Sequence, residues 1–62
     1  MKLRLKEWRK ERGIRVRDLA RTIGMHHATV QHYEINRITP SLPVFVKLCR
    51  ALNVDMEDMI DE

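Results

Sequence analysis

Polar side chains that donate and accept hydrogen bonds are concentrated between positions 26 and 32. This stretch contains all three histidines, His26, His27 and His32, together with Thr29 and Gln31. Imidazole, amide and hydroxyl groups are among those that bind the edges of DNA bases. Imidazoles also bind metal ions, but neither the adjacent pair nor the pair five residues apart has the i, i+4 spacing that places two rings on one helix face. We therefore predict no metal site.

Catalytic chemistry has no support elsewhere in the chain. The sequence has no nucleophile placed with a base and no glycine-rich phosphate loop, and its 62 residues leave little room for a substrate pocket. The single cysteine, Cys49, excludes an internal disulfide and is expected to be a small buried apolar residue. We expect no enzymatic activity, no cofactor and no small-molecule substrate.

The elements that would position the polar stretch are two short helices joined by a turn. Gly24 lies where the first of them should end, because glycine accepts the left-handed conformation of a helix end. Ala20 is small where a second helix would cross closely, and Val30 is apolar six residues after Gly24. This spacing is that of a helix-turn-helix, whose second helix lies in the DNA major groove. The alternative is any αα-hairpin inside a helical bundle.

Charge is distributed unevenly along the chain. Residues 1–37 carry ten lysines and arginines against four acidic residues, whereas residues 38–62 carry two against five. A basic half that contains the candidate groove-binding helix suits a polyanionic partner. A solvated charged surface would show the same distribution.

A single all-α domain over residues 1–62 is predicted from apolar periodicity and from the residues that flank it. The five predicted helices cover residues 4–12, 16–23, 27–35, 42–52 and 56–61, and no alternating apolar stretch suggests a sheet. Ser41 and Asp55 are predicted N-caps, whereas Arg15 is a poor one that Asp18 should partly replace. Arg9 and Glu34 face inward from the first and third helices, and we expect them to form a structural ion pair.

With these positions in place, the chain resembles the Cro/phage-repressor type of helix-turn-helix, the XRE-like family. The resemblance spans essentially all residues, and its carriers include Trp8, Arg9, Gly13-Ile14, Leu19-Ala20, Ile23-Gly24-Met25, Thr29-Val30, Tyr33-Glu34, Pro40-Ser41-Leu42 and Ala51-Leu52-Asn53-Val54. It implies a compact five-helix bundle of the lambda-repressor-like type. It also implies binding to operator DNA, usually as a dimer on two-fold symmetric half-sites.

The resemblance also implies roles for individual residues. The expected base-reading residues are His27, Ala28, Thr29, Gln31 and His32. The expected phosphate contacts are Arg15, Arg17, His26 and Arg37. His26 stands where the family often has a serine or threonine cap, and Asn36 stands where glycine is common. A weak homodimer, formed mainly on DNA, is expected to use Val54, Met56 and Met59.

The leading hypothesis is a sequence-specific, double-stranded DNA-binding transcriptional regulator, expected to be a repressor. A cytoplasmic location is expected, because no apolar run approaches the ~20 residues of a membrane span. The alternative is a protein-interaction or antitoxin-like module that keeps the fold with weak or no DNA binding. Its partner surface would comprise Ile35, Ile38, Val44 and Val46, and a continuous apolar patch beside the loop between the third and fourth helices would favour it.

Overall fold

The computed structural model describes residues 1–61. Five helices and two very short strands lie within these residues. In chain order the elements are β1 (Lys2–Leu3), α1 (Leu5–Glu11), α2 (Val16–Ile23), α3 (His27–Glu34), α4 (Leu42–Leu52), α5 (Met56–Met59) and β2 (Ile60–Asp61). The first four helices lie within one residue of their predicted bounds, and the predicted helical bundle is confirmed. No helix between residues 1 and 61 is long and apolar enough to cross a lipid bilayer.

The core is formed by residues from every helix and from the first strand. Its buried apolar members are Leu3, Leu5, Leu19, Ala20, Ile23, Val30, Tyr33, Phe45, Leu48, Cys49, Leu52, Val54 and Met59. The α4 helix supplies four of them at helical spacing, and it packs against α2. Cys49 is a buried free thiol, as the sequence predicts. Burial raises the pKa of the Cys49 thiol, and the negative charge of Asp55 raises it further.

The two ends of the chain form an antiparallel ladder that sequence periodicity does not predict. Lys2 lies opposite Asp61 and Leu3 opposite Ile60. The Arg4 backbone N–H extends the ladder by donating to the Met59 carbonyl at 2.8 Å. Ile60 consequently has an extended conformation (φ −89°, ψ 127°), and the last helix ends at Met59 rather than at the predicted residue 61.

Asn36 connects this ladder to the end of α3. Its φ of 58° places it in the left-handed region, where asparagine is tolerated better than most residues. Its side-chain Oδ1 accepts from the Leu3 N–H at 2.7 Å, and its Nδ2 donates to the Leu3 carbonyl at 3.3 Å. The carboxamide therefore occupies the side of Leu3 that β2 leaves unpaired, and it ties β1 to the helix end.

Side-chain capping agrees with prediction at one helix start and differs at two. Ser41 accepts from the Val44 N–H at 3.5 Å at the start of α4. The Asp55 side chain makes no cap hydrogen bond to α5. At the start of α2, Asp18 accepts from the Arg15 guanidinium at 3.1 Å instead of accepting from a backbone N–H. The α2 start is thus without a side-chain cap, and tertiary packing of its apolar face supports the helix instead.

The structure contains the ion pair between Arg9 and Glu34 that the sequence predicts. Arg9 Nε and Nη2 both donate to the Glu34 carboxylate, the latter to Oε1 at 3.3 Å. Arg9 Nη1 also donates to the Ile14 carbonyl at 2.9 Å. The two side chains are only 13% and 6% exposed. This cluster joins α1, the loop that follows it and the carboxyl end of α3, and thereby sets the position of α3 in the bundle.

Candidate nucleic-acid interface

The turn between α2 and α3 is built around Gly24. Its backbone has φ 73° and ψ 36°, the left-handed conformation expected from the sequence. The Met25 N–H donates to the Ala20 carbonyl at 2.9 Å, which closes the end of α2. A Cβ added at Gly24 would meet no atom within 4 Å. Glycine is therefore favoured by the backbone conformation and not by crowding.

Packing of α2 against α3 leaves one face of α3 available to a ligand. Val30 and Tyr33 are buried, and they meet a core that includes Ala20 and Ile23 of α2. At 100° per residue, Ala28, Gln31 and His32 lie on the side of α3 opposite this buried pair. The geometry therefore presents a polar outer face of the kind that enters a DNA groove.

The predicted base-reading residues fall into two groups by exposure. Gln31 and His32 are exposed, whereas His27, Ala28 and Thr29 are half-buried near the start of α3. The exposed side chains offer an amide and an imidazole, each able to donate and accept. All five lie on the outer face of α3 or at its edges, and none belongs to the core.

His26 is the N-cap of α3. Its Nδ1 accepts from the Ala28 backbone N–H at 3.1 Å, and its backbone is extended (φ −72°, ψ 141°). Its ring stacks on that of His27, with ring centroids 4.4 Å apart and an interplanar angle of 27°. Histidine thus supplies the cap that Ser, Thr, Asp or Asn usually supplies. Among the described residues, no group of three metal-ligating side chains is placed to hold an ion.

Exposed arginines flank the helix pair. Arg15, Arg17 and Arg21 line a depression of about 410 Å³ at the start of α2, together with Val16 and Asp18. Beyond α3, Arg37 is exposed, and its backbone N–H donates to the His32 carbonyl at 2.9 Å. Within residues 1–61, no carboxylate lies within 4 Å of Arg17, Arg21 or Arg37. Arg21 was missing from the predicted phosphate contacts, although its spacing four residues after Arg17 places it on the same face of α2.

Two other arginines serve the fold. Arg9 belongs to the buried cluster with Glu34. Arg12 donates from Nε to the Leu52 carbonyl at 2.8 Å and from Nη2 to the Asn53 carbonyl at 3.2 Å. Its guanidinium also lies 5.0 Å from the centre of the Trp8 ring. Arg12 therefore binds backbone carbonyls at the end of α4.

The predicted dimer contacts require a correction. Met59 is fully buried and Val54 is only 9% exposed, so both belong to the protomer's own core. Met59 lies where α5 meets the terminal ladder, which the sequence does not predict, and its carbonyl accepts from the Arg4 N–H there. Met56 remains available, with half of its surface exposed. It lines an apolar depression of about 500 Å³ whose other walls are Met1, Pro40, Leu42, Phe45, Glu57 and Ile60.

Comparison with known proteins places this geometry in a family. The helix-turn-helix family model matches residues 5–59. An uncharacterized HTH-type transcriptional regulator of Bacillus subtilis, YgzD, is 36% identical over 59 residues, which are 95% of this chain and 89% of that protein. An uncharacterized HTH-type transcriptional regulator of Archaeoglobus fulgidus is 30% identical over 59 residues, 95% of this chain and 84% of its own length.

Solved structures show the same fold. The N-terminal DNA binding domain of SinR from Bacillus subtilis has a TM-score of 0.82 at 30% identity, covering 95% of this chain and 87% of that one. The restriction-modification controller protein C.AhdI from Aeromonas hydrophila has a TM-score of 0.85 at 28% identity, covering 92% and 86%. The family match over most of the chain and the shared fold lead to one conclusion: this chain belongs to the helix-turn-helix family, in its Cro/phage-repressor branch.

Proposed function

We propose that the protein regulates transcription by binding a specific double-stranded DNA site, with α3 in the major groove. The observation that carries this proposal is the α2–Gly24–α3 unit, whose polar outer face is flanked by four exposed arginines. Its relatives are named HTH-type transcriptional regulators, and a crystal structure of SinR in complex with DNA matches the chain with a TM-score of 0.84 at 29% identity, covering 94% of each chain. The function is therefore that of a DNA-binding transcription regulator.

Base reading is assigned to the outer face of α3. Gln31 bonds adenine in a bidentate manner, and His32 and His27 donate to or accept from base edges. Ala28 and the Thr29 methyl group contact thymine methyl groups. Because Gln31 and His32 are the exposed members of this set, we expect them to contribute most of the sequence discrimination.

Phosphate binding is assigned to the flanking cations. Arg15 and Arg17 lie at the start of α2, Arg21 lies in its last turn, and Arg37 follows α3. Phosphate contacts hold such a unit in register on the duplex, while the base contacts supply the sequence information. These arginines are exposed, which supports the assignment. In the described part of the chain, Arg17, Arg21 and Arg37 form no ion pair with a carboxylate.

We further propose that the protein acts as a repressor in the cytoplasm and binds as a weak homodimer that forms mainly on DNA. Met56 and the apolar depression beside it are the candidate contact between two copies. A domain of 62 residues offers little area for self-association, so two adjacent half-sites would supply much of the association energy. We propose no catalytic activity for this site.

The experiment that tests the proposal is selection of bound duplexes from a random pool, followed by sequencing, at several salt concentrations. An enriched site with two-fold symmetry and half-sites about one helical turn apart would support a dimeric operator binder. Salt-sensitive binding without enrichment would replace it with backbone-only binding. No binding at low salt would exclude DNA as the partner.

A protein partner is the second candidate function. Ile35 is 62% exposed and Ile38 is 43% exposed in the loop between α3 and α4, an apolar surface that DNA contact does not require. Val44 and Val46 are half-buried on the following helix. If the selection yields no DNA site, this surface becomes the region to test for binding of a partner protein, as in an antitoxin-like module.

A further inference from the structure

We propose that His26 binds the DNA backbone as an uncharged hydrogen-bond donor, through Nε2–H, while its Nδ1 caps the groove-binding helix. The proposal rests on the proposed function, because it assumes that α3 meets DNA. It adds the identity of the contacting atom, the tautomer of the ring and the charge of the contact.

The cap hydrogen bond determines where the ring proton lies. The Ala28 backbone N–H donates to His26 Nδ1 at 3.1 Å. A nitrogen that accepts this bond carries no proton, and a neutral imidazole has one N–H. The proton is therefore on Nε2, which makes Nε2–H the ring's only donor. A protonated ring would place a donor on Nδ1 as well and would lose the cap.

Two contacts hold the ring in this orientation. One is the cap bond to Ala28, and the other is the stacking on His27. The two ring nitrogens point in diverging directions, so Nε2–H points away from the Ala28 N–H. Because His26 is exposed, this donor is available to a ligand at the amino end of α3.

A phosphate oxygen is the ligand that fits this donor. Phosphate oxygens only accept hydrogen bonds, and the amino ends of groove-binding helices meet the DNA backbone. A neutral donor differs from an arginine in one measurable respect: it displaces no condensed cation. Loss of the His26 contact should therefore weaken binding without changing the salt dependence. Loss of a cationic contact, in contrast, makes the negative slope of log K against log salt shallower by about 0.9.

The first test reads the tautomer in the free protein. Long-range ¹H–¹⁵N correlation spectra of the full chain should show an unprotonated Nδ1 and a protonated Nε2 for His26 at neutral pH. A proton on Nδ1 would overturn the proposal. This measurement uses no DNA, so its result stands whether or not the proposed function holds.

The second test blocks each nitrogen separately. The 62-residue chain is short enough for chemical synthesis with methylhistidine at position 26. Methylation of Nε2 keeps the cap and should leave the thermal midpoint unchanged. It should weaken binding to a fluorescein-labelled duplex taken from the random-pool selection by about threefold to tenfold, with the salt slope unchanged. Methylation of Nδ1 is the matched control and should lower the thermal midpoint, because it removes the cap acceptor.

Three outcomes would contradict the proposal. Unchanged DNA affinity after Nε2 methylation would exclude the contact. A slope of log K against log salt that becomes shallower by about 0.9 after Nε2 methylation would mean that the ring is charged on DNA. An unchanged midpoint after Nδ1 methylation would exclude the cap that defines the tautomer. If the unmodified protein binds no duplex, the proposed function fails as well. The two failures can be told apart, because this one is observed before position 26 is changed.

Discussion

Arg9 is held by three acceptor atoms, two of them on Glu34 and one the carbonyl of Ile14. Because both charged side chains are largely removed from water, neither is stable there without the other. The pair links α1 to α3, and it can affect DNA binding only by holding α3 in place. We therefore expect its loss to lower the stability of the fold.

Glu34→Ala should therefore lower the free energy of unfolding by about 3 kcal/mol, because it leaves the Arg9 guanidinium buried without its carboxylate. Urea unfolding followed by circular dichroism measures the change. The double variant Arg9→Met with Glu34→Ala is the control and should recover part of the loss, since the unpaired charge is gone. A Glu34→Ala protein as stable as the original would mean that the pair contributes nothing.

Arg37 is a proposed phosphate contact, and its effect is expected on DNA binding. We expect Arg37→Ala to weaken binding to all duplex sequences alike. The negative slope of log K against log salt should become shallower by about 0.9, because one phosphate contact is lost. Fluorescence anisotropy titrations across a salt series measure both effects. Lys10→Ala on α1 removes an exposed cation outside the proposed interface, and its slope should match that of the original protein. Equal effects of the two variants would show that only net charge matters.

At the scale of helices and turns, the direction of α3 depends on how α2 ends. The left-handed residue at Gly24 turns the chain so that α3 packs on α2 through Val30 and Tyr33 and presents its polar face outward. Because the space around Gly24 is open, glycine is required there for its positive φ and not for its small size. Substitutions there should be ranked by their tolerance of positive φ and not by size.

Gly24→Ala should accordingly cost about 1 kcal/mol of stability, the strain of an alanine in the left-handed region. Gly24→Asn is the matched comparison and should cost less, because asparagine adopts this conformation more readily. Thermal unfolding of both variants measures the difference. An asparagine variant less stable than the alanine variant would point to a steric contact instead.

The α4 helix contains a buried thiol, Cys49, whose pKa is raised. Burial, with a smaller contribution from Asp55, raises the pKa of the Cys49 thiol above its ordinary value of 9.0. The folded state therefore holds this proton more tightly than the unfolded state does. The resulting stability is complete below pH 9.0 and is lost as the pH rises through the raised pKa.

We expect the free energy of unfolding to fall more steeply between about pH 8 and pH 10 in the original protein than in Cys49→Ala, which lacks the thiol. Urea unfolding at the two pH values measures the difference between the two slopes, so the titration of other groups cancels. Parallel slopes would mean that the thiol has the same proton affinity in both states.

At the scale of the whole molecule, the basic DNA-facing surface and the candidate dimer surface involve different elements. The arginines flank α2 and α3, whereas Met56 and the apolar depression lie among α4, α5 and the chain ends. A second copy seated on that depression would leave both α3 helices uncovered, and a two-fold symmetric site requires two of them.

Met56→Glu tests this arrangement. Because Met56 is half-exposed, the charge should leave the protomer folded but weaken association and binding to two-fold symmetric duplexes. Sedimentation velocity with and without the selected duplex measures the stoichiometry. Ile35→Glu, at an exposed apolar position between α3 and α4, is the control and should leave the stoichiometry unchanged. If only Ile35→Glu abolished the DNA-bound dimer, the dimer contact would have to lie in the loop between α3 and α4.

Local features of the sequence determined most of the helices and the location of the site. The apolar periodicity, Gly24 and the distribution of arginines depend on neighbours a few residues away, and α2 follows its predicted bounds. Arg9 and Glu34 were paired from sequence because two inward charges of opposite sign need each other.

Only the tertiary structure decided how the chain ends are arranged. The ladder pairs Leu3 with Ile60, and the Asn36 carboxamide binds Leu3 across 33 positions, contacts that no local periodicity encodes. Met59, whose carbonyl accepts from Arg4 beside that ladder, is fully buried and is not available to a dimer surface. The ring nitrogen of His26 that caps α3 was likewise decided by the structure, since the cap depends on the distance between Nδ1 and one backbone N–H. Sequence determines which groups are present, but their hydrogen-bonding partners are set by distances that exist only in the folded chain.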